Sequence, residues 1–370
     1  MTATAAALTD EQRIAWLRLI RTEGIGPVTF RALVNHFGSA TAALEGAPDL
    51  SRRGGRPLRL ATVEEAEREI AAATAMGARI VAIGEADYPP WLRAIDGAPP
   101  LITVRGPGSI LTRPAIAVVG SRNCSIVGRK FAMQVAAGIA DAGFAVVSGL
   151  ARGIDAAAHA ASEASGTIAV FAGGLDRPYP VDNIDLAESI VAKGGAHVSE
   201  MPMGHTPRGK DFPRRNRIIS GMSLAVVVVE AALRSGSLIT ARLAAEQGRL
   251  VFAVPGSPLD PRAGGTNQLI KDGASIVTAI DDIIAEVRPM LGQDPPPPAA
   301  RESEREEVAT DAGDGDRARI VGAMGTTPVE IDEIIRFTGL SPAVVRLVLI
   351  ELDLAGRLER HPGGRVSLIG

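Results

Sequence analysis

Apolar positions along the chain change period three times, and each change marks a boundary. Between residues 8 and 48 Leu17, Leu19 and Ile20 form one apolar face. The tetrad Gly24-Ile25-Gly26-Pro27 interrupts it, and Thr29, Phe30, Leu33 and Phe37 then restart a helical period. This predicts a small bundle of short helices within residues 1–75, SAM- or helix-hairpin-helix-like; the favoured reading of its glycine turn is a plain connection between helices, with amide contact to a phosphate as the alternative. Arg52, Arg53, Arg56 and Arg59 follow in SRRGGRPLR, which reads as a solvated loop.

From about Ala78 short, wholly apolar runs alternate with helical periods. The strands predicted are Ile116–Val119, Ala145–Ser148, Ile168–Phe171, His197–Ser199, Leu224–Val229 and Leu250–Val254. Phe131, Val135 and Ile139, four apart, place a helix between the first two, with Gly143 to end it. The unbroken run Val226 to Val229 fits a strand covered on both faces. Strands joined by crossover helices imply a parallel sheet with right-handed connections. The expected fold class is therefore α/β: an extended Rossmann-like, doubly wound parallel sheet over residues 76–288.

Past Arg288 the apolar pattern stops. Pro295 to Pro298, RESEREE and DAGDGD bury too little to offset the entropy of ordering them, so residues 289–314 read as a disordered tether. Residues 315–370 regain a compact pattern. Thr327, Pro328 and Glu330 look like an N-cap, a first-turn proline and a capping-box acid, and Ser341-Pro342 repeats the start signal. Gly356 stops that helix, and Leu358 to Leu368, around Pro362-Gly363-Gly364, reads as a hairpin. Three helices and a β-wing make a winged helix. Its third helix carries only Arg346 as a base against Glu351 and Asp353, which favours a protein contact over duplex reading. Arg357, Arg360 and Arg365 near the wing keep the duplex alternative open.

Composition narrows the chemistry. A hydrophobic fraction of 46% and a net charge of -3 over 370 residues describe a globular protein with no polyelectrolyte coat, so any polyanion contact must be local. The single Cys124 precludes an internal disulfide and suggests a reducing compartment. With no basic, apolar leader and no membrane-length apolar run, a cytoplasmic address is expected.

In open parallel sheets ligands bind beyond the carboxyl ends of the strands, near the switch in strand order. Glycines stand there: Gly120, Gly149, Gly173 with Gly174, and Gly256. The amides of Gly120 to Arg122, the Ser121 hydroxyl and the Arg122 guanidinium can converge on one phosphate. The turn is not GxGxxG, and no Walker loop or metal-ligand cluster occurs, so no cofactor or metal is expected. In Ser148-Gly149-Leu150-Ala151-Arg152-Gly153-Ile154-Asp155, Asp155 and His159 share a helix face. Without a nucleophile, Asp155 reads as a helix cap and His159 as an internal hydrogen-bonding group. Gly173 to Asp176, with Tyr179-Pro180 and Asn183, reads as a rigid turn beside the same cleft.

The densest charge is RGKDFPRRNR, Arg208 to Arg217, with five bases and one acid. Its three closely spaced arginines cannot share one helix face. Arg217 and Asn216 are expected inward, some bases paired with Glu200 or Glu230, and Arg208, Lys210 and Arg214 are expected on phosphates. Aromatics are only 3% of the chain, so stacking on bases falls mainly to Phe212.

At these residues the chain resembles the DNA-processing protein A (DprA/Smf) family. The resemblance rests on VVGSRNCSIVGRK, VVSGLARGIDAAAH, FAGGLDRPYP, FPRRNRIISGMS, VVVVEAALRSGSLITARLAAEQGR and VFAVPG, in order across roughly Ala78 to Val287. It implies a non-catalytic protein that binds single-stranded DNA, protects it during natural transformation and loads a RecA-type recombinase. It also implies homodimers through the Rossmann-like domain. The implied pocket uses the GSR arginine, here Arg122, and a base shortly before Phe212, either Arg208 or Lys210. The DNA-contacting set is then Gly120, Ser121, Arg122, Gly149, Arg152, Arg208, Lys210, Phe212, Arg214, Asn216 and Arg217. Two other readings compete. One is a nucleotide hydrolase of the phosphoribohydrolase type using Glu230, Asp155 and Glu246, although the loop at Glu230 departs from that family's PGGxGTxxE. The other is a transcription regulator acting through the winged helix.

Overall fold

The computed structural model describes residues 7–292, 311–361 and 363–369. The Pro295–Pro298 run, the acidic segment after it and Pro362 lie outside these residues. The chain divides into two compact units, one within Glu69–Ala299 and one formed by Leu8–Arg68 together with the chain after Ala300.

The first helices are α1 (Asp10–Arg21), α2 (Pro27–Phe37), α3 (Ala40–Gly54) and α4 (Val63–Ala75). Thr9 and Gln12 cap α1 reciprocally, at 3.2 Å and 3.0 Å. Pro27 opens α2, and Gly38, at φ +81°, closes it. Helix α3 runs on through Ser51–Gly54, so Arg52 and Arg53 belong to its last turn rather than to a loop. There they complement the carbonyl end of the helix.

The larger unit holds a nine-stranded sheet: β1 (Ala78–Ala82), β2 (Leu101–Arg105), β3 (Ala115–Val119), β4 (Ala145–Ser148), β5 (Thr167–Val170), β6 (Ala196–Ser199), β7 (Ala225–Val228), β8 (Leu250–Ala253) and β9 (Ser275–Ile276). The order is β1-β2-β6-β5-β4-β3-β7-β8-β9. From β6 to β9 every pairing is parallel, and β2 pairs antiparallel with both β1 and β6. The antiparallel edge follows from the proline-bearing connection between β1 and β2. Besides turns it contains only α5 (Pro90–Arg93), which cannot form a full crossover.

The remaining helices of this unit are α6 (Ile126–Asp141), α7 (Ile154–Ser162), α8 (Ile184–Ala192), α9 (Asp211–Gly221), α10 (Gly236–Glu246), α11 (Gly264–Lys271) and α12 (Ile280–Val287). Alternate strand residues feed two cores. Ala117, Val119, Val147, Val226 and Val228 enter one, while Ile116, Val118, Val146 and Val227 enter the other. Both faces are covered, which is why these strands carry no polar alternation.

The C-terminal elements are α13 (Asp314–Gly322), β10 (Val329–Glu330), α14 (Ile331–Thr338), α15 (Pro342–Leu354), β11 (Leu358–His361) and β12 (Arg365–Leu368), with a sheet ordered β10-β12-β11. This is a winged helix, with two departures from expectation. Helix α13 begins inside DAGDGD, and a short 3-10 turn occupies Arg288–Met290, so both edges of the segment read as a tether are structured. Val329 and Glu330 pair with Val366 and Arg365 instead of starting a helix at Pro328. Strand pairing overrides the proline and capping-box signal there, and α14 starts at Ile331.

Candidate nucleic-acid interface

Strand order switches between β3, which runs on through α6 to β4, and β7, where the chain returns on the other side. Gly120 stands at that point. A Cβ on it would sit 2.7 Å from Ile154 Cγ1 and 3.0 Å from the Glu230 carbonyl oxygen, so no larger residue fits. The loop after it is fixed from both ends. Ser121 Oγ accepts the Asn123 amide at 3.2 Å, and the Ser121 carbonyl accepts the Ile154 amide at 3.2 Å. Ser125 Oγ donates to Glu230 Oε1 at 2.5 Å and accepts the Gly128 amide at 2.8 Å, capping α6. The Ser121 hydroxyl therefore shapes the turn that presents Arg122. Arg122 is exposed, and its guanidinium carbon lies 5.3 Å from the centre of the Phe212 ring.

The β4–α7 loop is held from beneath. Asp155 Oδ2 accepts the amides of Gly149 at 3.1 Å and Ala151 at 3.4 Å. Asp155 is thus a loop clamp rather than a helix cap. Arg215 Nη1 donates to the carbonyls of Gly149 at 2.6 Å and Val170 at 2.5 Å. Leu150, between these anchors, is buried with φ +56°, a left-handed conformation that a non-glycine residue holds only when its surroundings impose it. Burial raises the Asp155 carboxyl, against the opposing pull of Arg215 and the two amides. Burial also lowers Arg215, to about 10, which leaves it cationic at neutral pH. His159 points elsewhere: its Nδ1 lies 2.8 Å from Thr167 Oγ1, and burial drives its pKa down to about 3.

The basic segment separates into inward and outward groups as helix α9 begins. Asp211 accepts the Arg208 amide at 2.8 Å and His205 Nε2 at 2.8 Å, which ties the preceding loop to the helix. Arg214 Nε reaches Glu200 Oε1 at 2.9 Å, and Arg217 pairs with the same buried carboxylate while donating to the Gly97 carbonyl at 2.8 Å. Asn216 is buried, linked to Arg215 and to the Gly236 carbonyl. Arg215 is buried as well.

Of the expected contact residues, Arg122, Arg152, Arg208, Lys210 and Arg214 are exposed, and Phe212 is half-buried beside Arg122. Arg152 makes an exposed pair with Asp182 at 2.7 Å. Gly149 and Asn216 are buried and Arg217 is partly buried, while Arg214, expected on a phosphate, pairs with Glu200 with its side chain 44% exposed. The Gly149 amide is committed to Asp155 and is not offered to a ligand. Arg217 and Asn216 do turn inward as expected, but Arg215 is the deepest base of the segment. The helical period identifies it: Asp211, Arg215, Ile218 and Ile219 are the i, i+4, i+7 and i+8 positions of the buried face. Tyr179 is 53% exposed and packs edge-on against Phe212 with ring centres 5.6 Å apart, which gives the cleft a second aromatic. Its sequence signal was the turn at Tyr179-Pro180, a cis peptide bond in the structure.

The acids considered for hydrolysis do not converge. Asp155 binds its loop, Glu230 caps α6 through Ser125, and Glu246 pairs with Arg242 at 3.6 Å. Among the described residues no cluster of metal-ligating side chains occurs, and no helix is long and apolar enough to cross a membrane.

Three family descriptions match successive parts of the chain: DNA recombination-mediator protein A at residues 79–288, a DprA-like N-terminal HHH domain at 10–72 and a DprA winged-helix domain at 293–364. Protein Smf of Escherichia coli is 40% identical over 285 residues, covering 76% of this chain and 75% of its own length. The DNA processing protein DprA of Bacillus subtilis is 43% identical over 223 residues, covering 60% of this chain and 75% of its own. The X-ray structure of DprA from Streptococcus pneumoniae superposes with a TM-score of 0.62 at 36% identity, across 76% of this chain and 99% of that one. DprA of Helicobacter pylori, solved for its single-stranded DNA binding mode, gives 0.51 at 27% identity, covering 54% of this chain and 93% of that one. With a strand-tip cleft built from these motifs and matches along nearly its whole length, the chain belongs to the DNA recombination-mediator protein A family, the DprA/Smf proteins.

Proposed function

We propose that this protein binds single-stranded DNA across the strand tips, without catalysis, and delivers it to a RecA-type recombinase during DNA processing in transformation and recombination. The observation that carries the reading is the Arg122 guanidinium beside the Phe212 ring at the switch point, with Arg208 and Lys210 exposed on the loop entering α9. Guanidinium and ammonium groups neutralise phosphates, while Phe212 and Tyr179 offer faces and edges to unstacked bases. A duplex keeps its bases stacked inside and cannot present them to that pair. Arg122→Ala is expected to weaken binding of an oligothymidine about tenfold at moderate salt, with about 0.7 lost from the slope of log affinity against log salt. Unchanged affinity and slope would remove Arg122 from the site.

The catalytic alternative gains nothing from the geometry, since Asp155, Glu230 and Glu246 each have a structural partner. Incubation with nucleoside monophosphates should release no free base.

Delivery to a protein partner is supported by apolar side chains left in water at the start of α6 and on the loops after β7 and β8. Ile126 is 88% exposed, Val127 77%, Leu233 68% and Leu259 93%. Such groups beside a binding cleft suit a protein interface. Val127→Asp is expected to abolish recombinase loading while leaving single-strand affinity within twofold. Intact loading by that variant would place the recombinase contact elsewhere.

A further inference from the structure

We infer that the winged helix is a protein-binding module whose partner is this chain's own N-terminal helical bundle, and that it does not read duplex DNA. Helix α15 occupies the position a recognition helix would take, but eight of its thirteen residues are buried: Val345, Leu347 to Leu352, and Leu354. Six consecutive buried positions span every direction around a helix. One side packs on the winged helix itself, through Ile320, Ile334, Leu358 and Val366. Phe30, Leu33, Leu44 and Leu50 of α2 and α3 belong to the same core. A helix that enters a major groove keeps one face open; on α15 only Pro342 is exposed, with Ala343, Val344, Arg346 and Asp353 partly so.

The approach is close at backbone level. A Cβ on Gly54 would fall 2.1 Å from the Glu351 carbonyl oxygen, so α3 crosses α15 where only glycine fits. Polar groups fix the register. Thr29 Oγ1 donates to Asp353 Oδ2 at 2.7 Å, and Ser51 Oγ donates to the Leu354 carbonyl at 3.4 Å. Arg53 pairs with Asp311 at 2.8 Å.

One base at the wing reaches the bundle and another braces α15. Arg357 Nη1 donates to the Gly54 carbonyl at 3.3 Å, and Arg360 Nε pairs with Asp353 at 2.8 Å. Two of the three wing arginines are engaged in this way, and Arg365 stays exposed. The two ends of the chain thus make one folding unit, with the sheet domain inserted between them in sequence.

Hydrogen exchange on the full chain tests this. Gly54→Val is expected to speed exchange at least tenfold in α15, β11 and β12 together with α2 and α3, leaving β3 and β7 unchanged. Retained protection in α15 while α2 and α3 lose theirs would overturn the inference. Should Gly54→Val unfold the whole protein, Thr29→Ala decides: a two- to fivefold rise on both sides of the contact supports the inference, and a rise on one side alone overturns it. In parallel, Arg346→Ala in the full chain should change affinity for a 30-base-pair duplex less than twofold. A tenfold loss would show that α15 reads duplex after all.

Discussion

Gly149 shows how one missing side chain sets the floor of the cleft. A Cβ there would stand 2.4 Å from Arg215 Nη1, the atom that ties two strand-end carbonyls together. Gly149→Ala must therefore displace a buried guanidinium. It is expected to lower stability by about 1–3 kcal/mol, measured as a reduced urea midpoint with unchanged slope. A midpoint equal to the parent's would show that Arg215 is free to move. The motif glycines and Arg122 were legible in the sequence because their types suit close approach and anion binding. Which bases of the 208–217 segment turn inward was only half legible. The charge suggested an outward-facing group with some bases paired to Glu200 or Glu230; buried Glu200 at the end of β6 takes both Arg214 and Arg217, and which arginines it takes depends on packing that no local pattern reveals. Arg215 was within reach through the period of α9.

Elements with an unbroken apolar run or a strict helical period were read correctly, β3 to β8 and α6 above all, because burial on two faces or on one stripe leaves a strong imprint. The failures came where pairing decided the outcome: the antiparallel β1–β2 edge, and β10 in place of a first helical turn. Two helix-to-sheet contacts also predict a pH response. His159 on α7 and His197 on β6 are buried and neutral, with burial lowering their pKa values from 6.5 to about 3 and about 4. Below pH 6.5 the unfolded chain takes up protons that the folded chain refuses. The stability these groups contribute is complete above about pH 6.5 and falls as pH drops towards 4. His159→Gln should accordingly show a flatter urea midpoint between pH 6.5 and 4 than the parent. Parallel curves would mean that His159 can take up a proton without opening the fold.

For the whole molecule the decisive property is contrast. The net charge is -3, yet Arg122 stands over Phe212 with Tyr179 against the same ring, and Arg208 and Lys210 are exposed on the loop entering α9. A local site of this kind makes few phosphate contacts, so its salt dependence should be definite but shallower than that of a protein coated in positive charge. The most direct measurement is a salt titration of the full chain against a single-stranded oligonucleotide and the matching duplex. The expected result is at least tenfold tighter binding of the single strand, a log–log slope of about -2 from three phosphate contacts, and loss of that preference in Phe212→Ala. Equal affinity for duplex and single strand, or a preference that survives Phe212→Ala with no salt dependence, would contradict it.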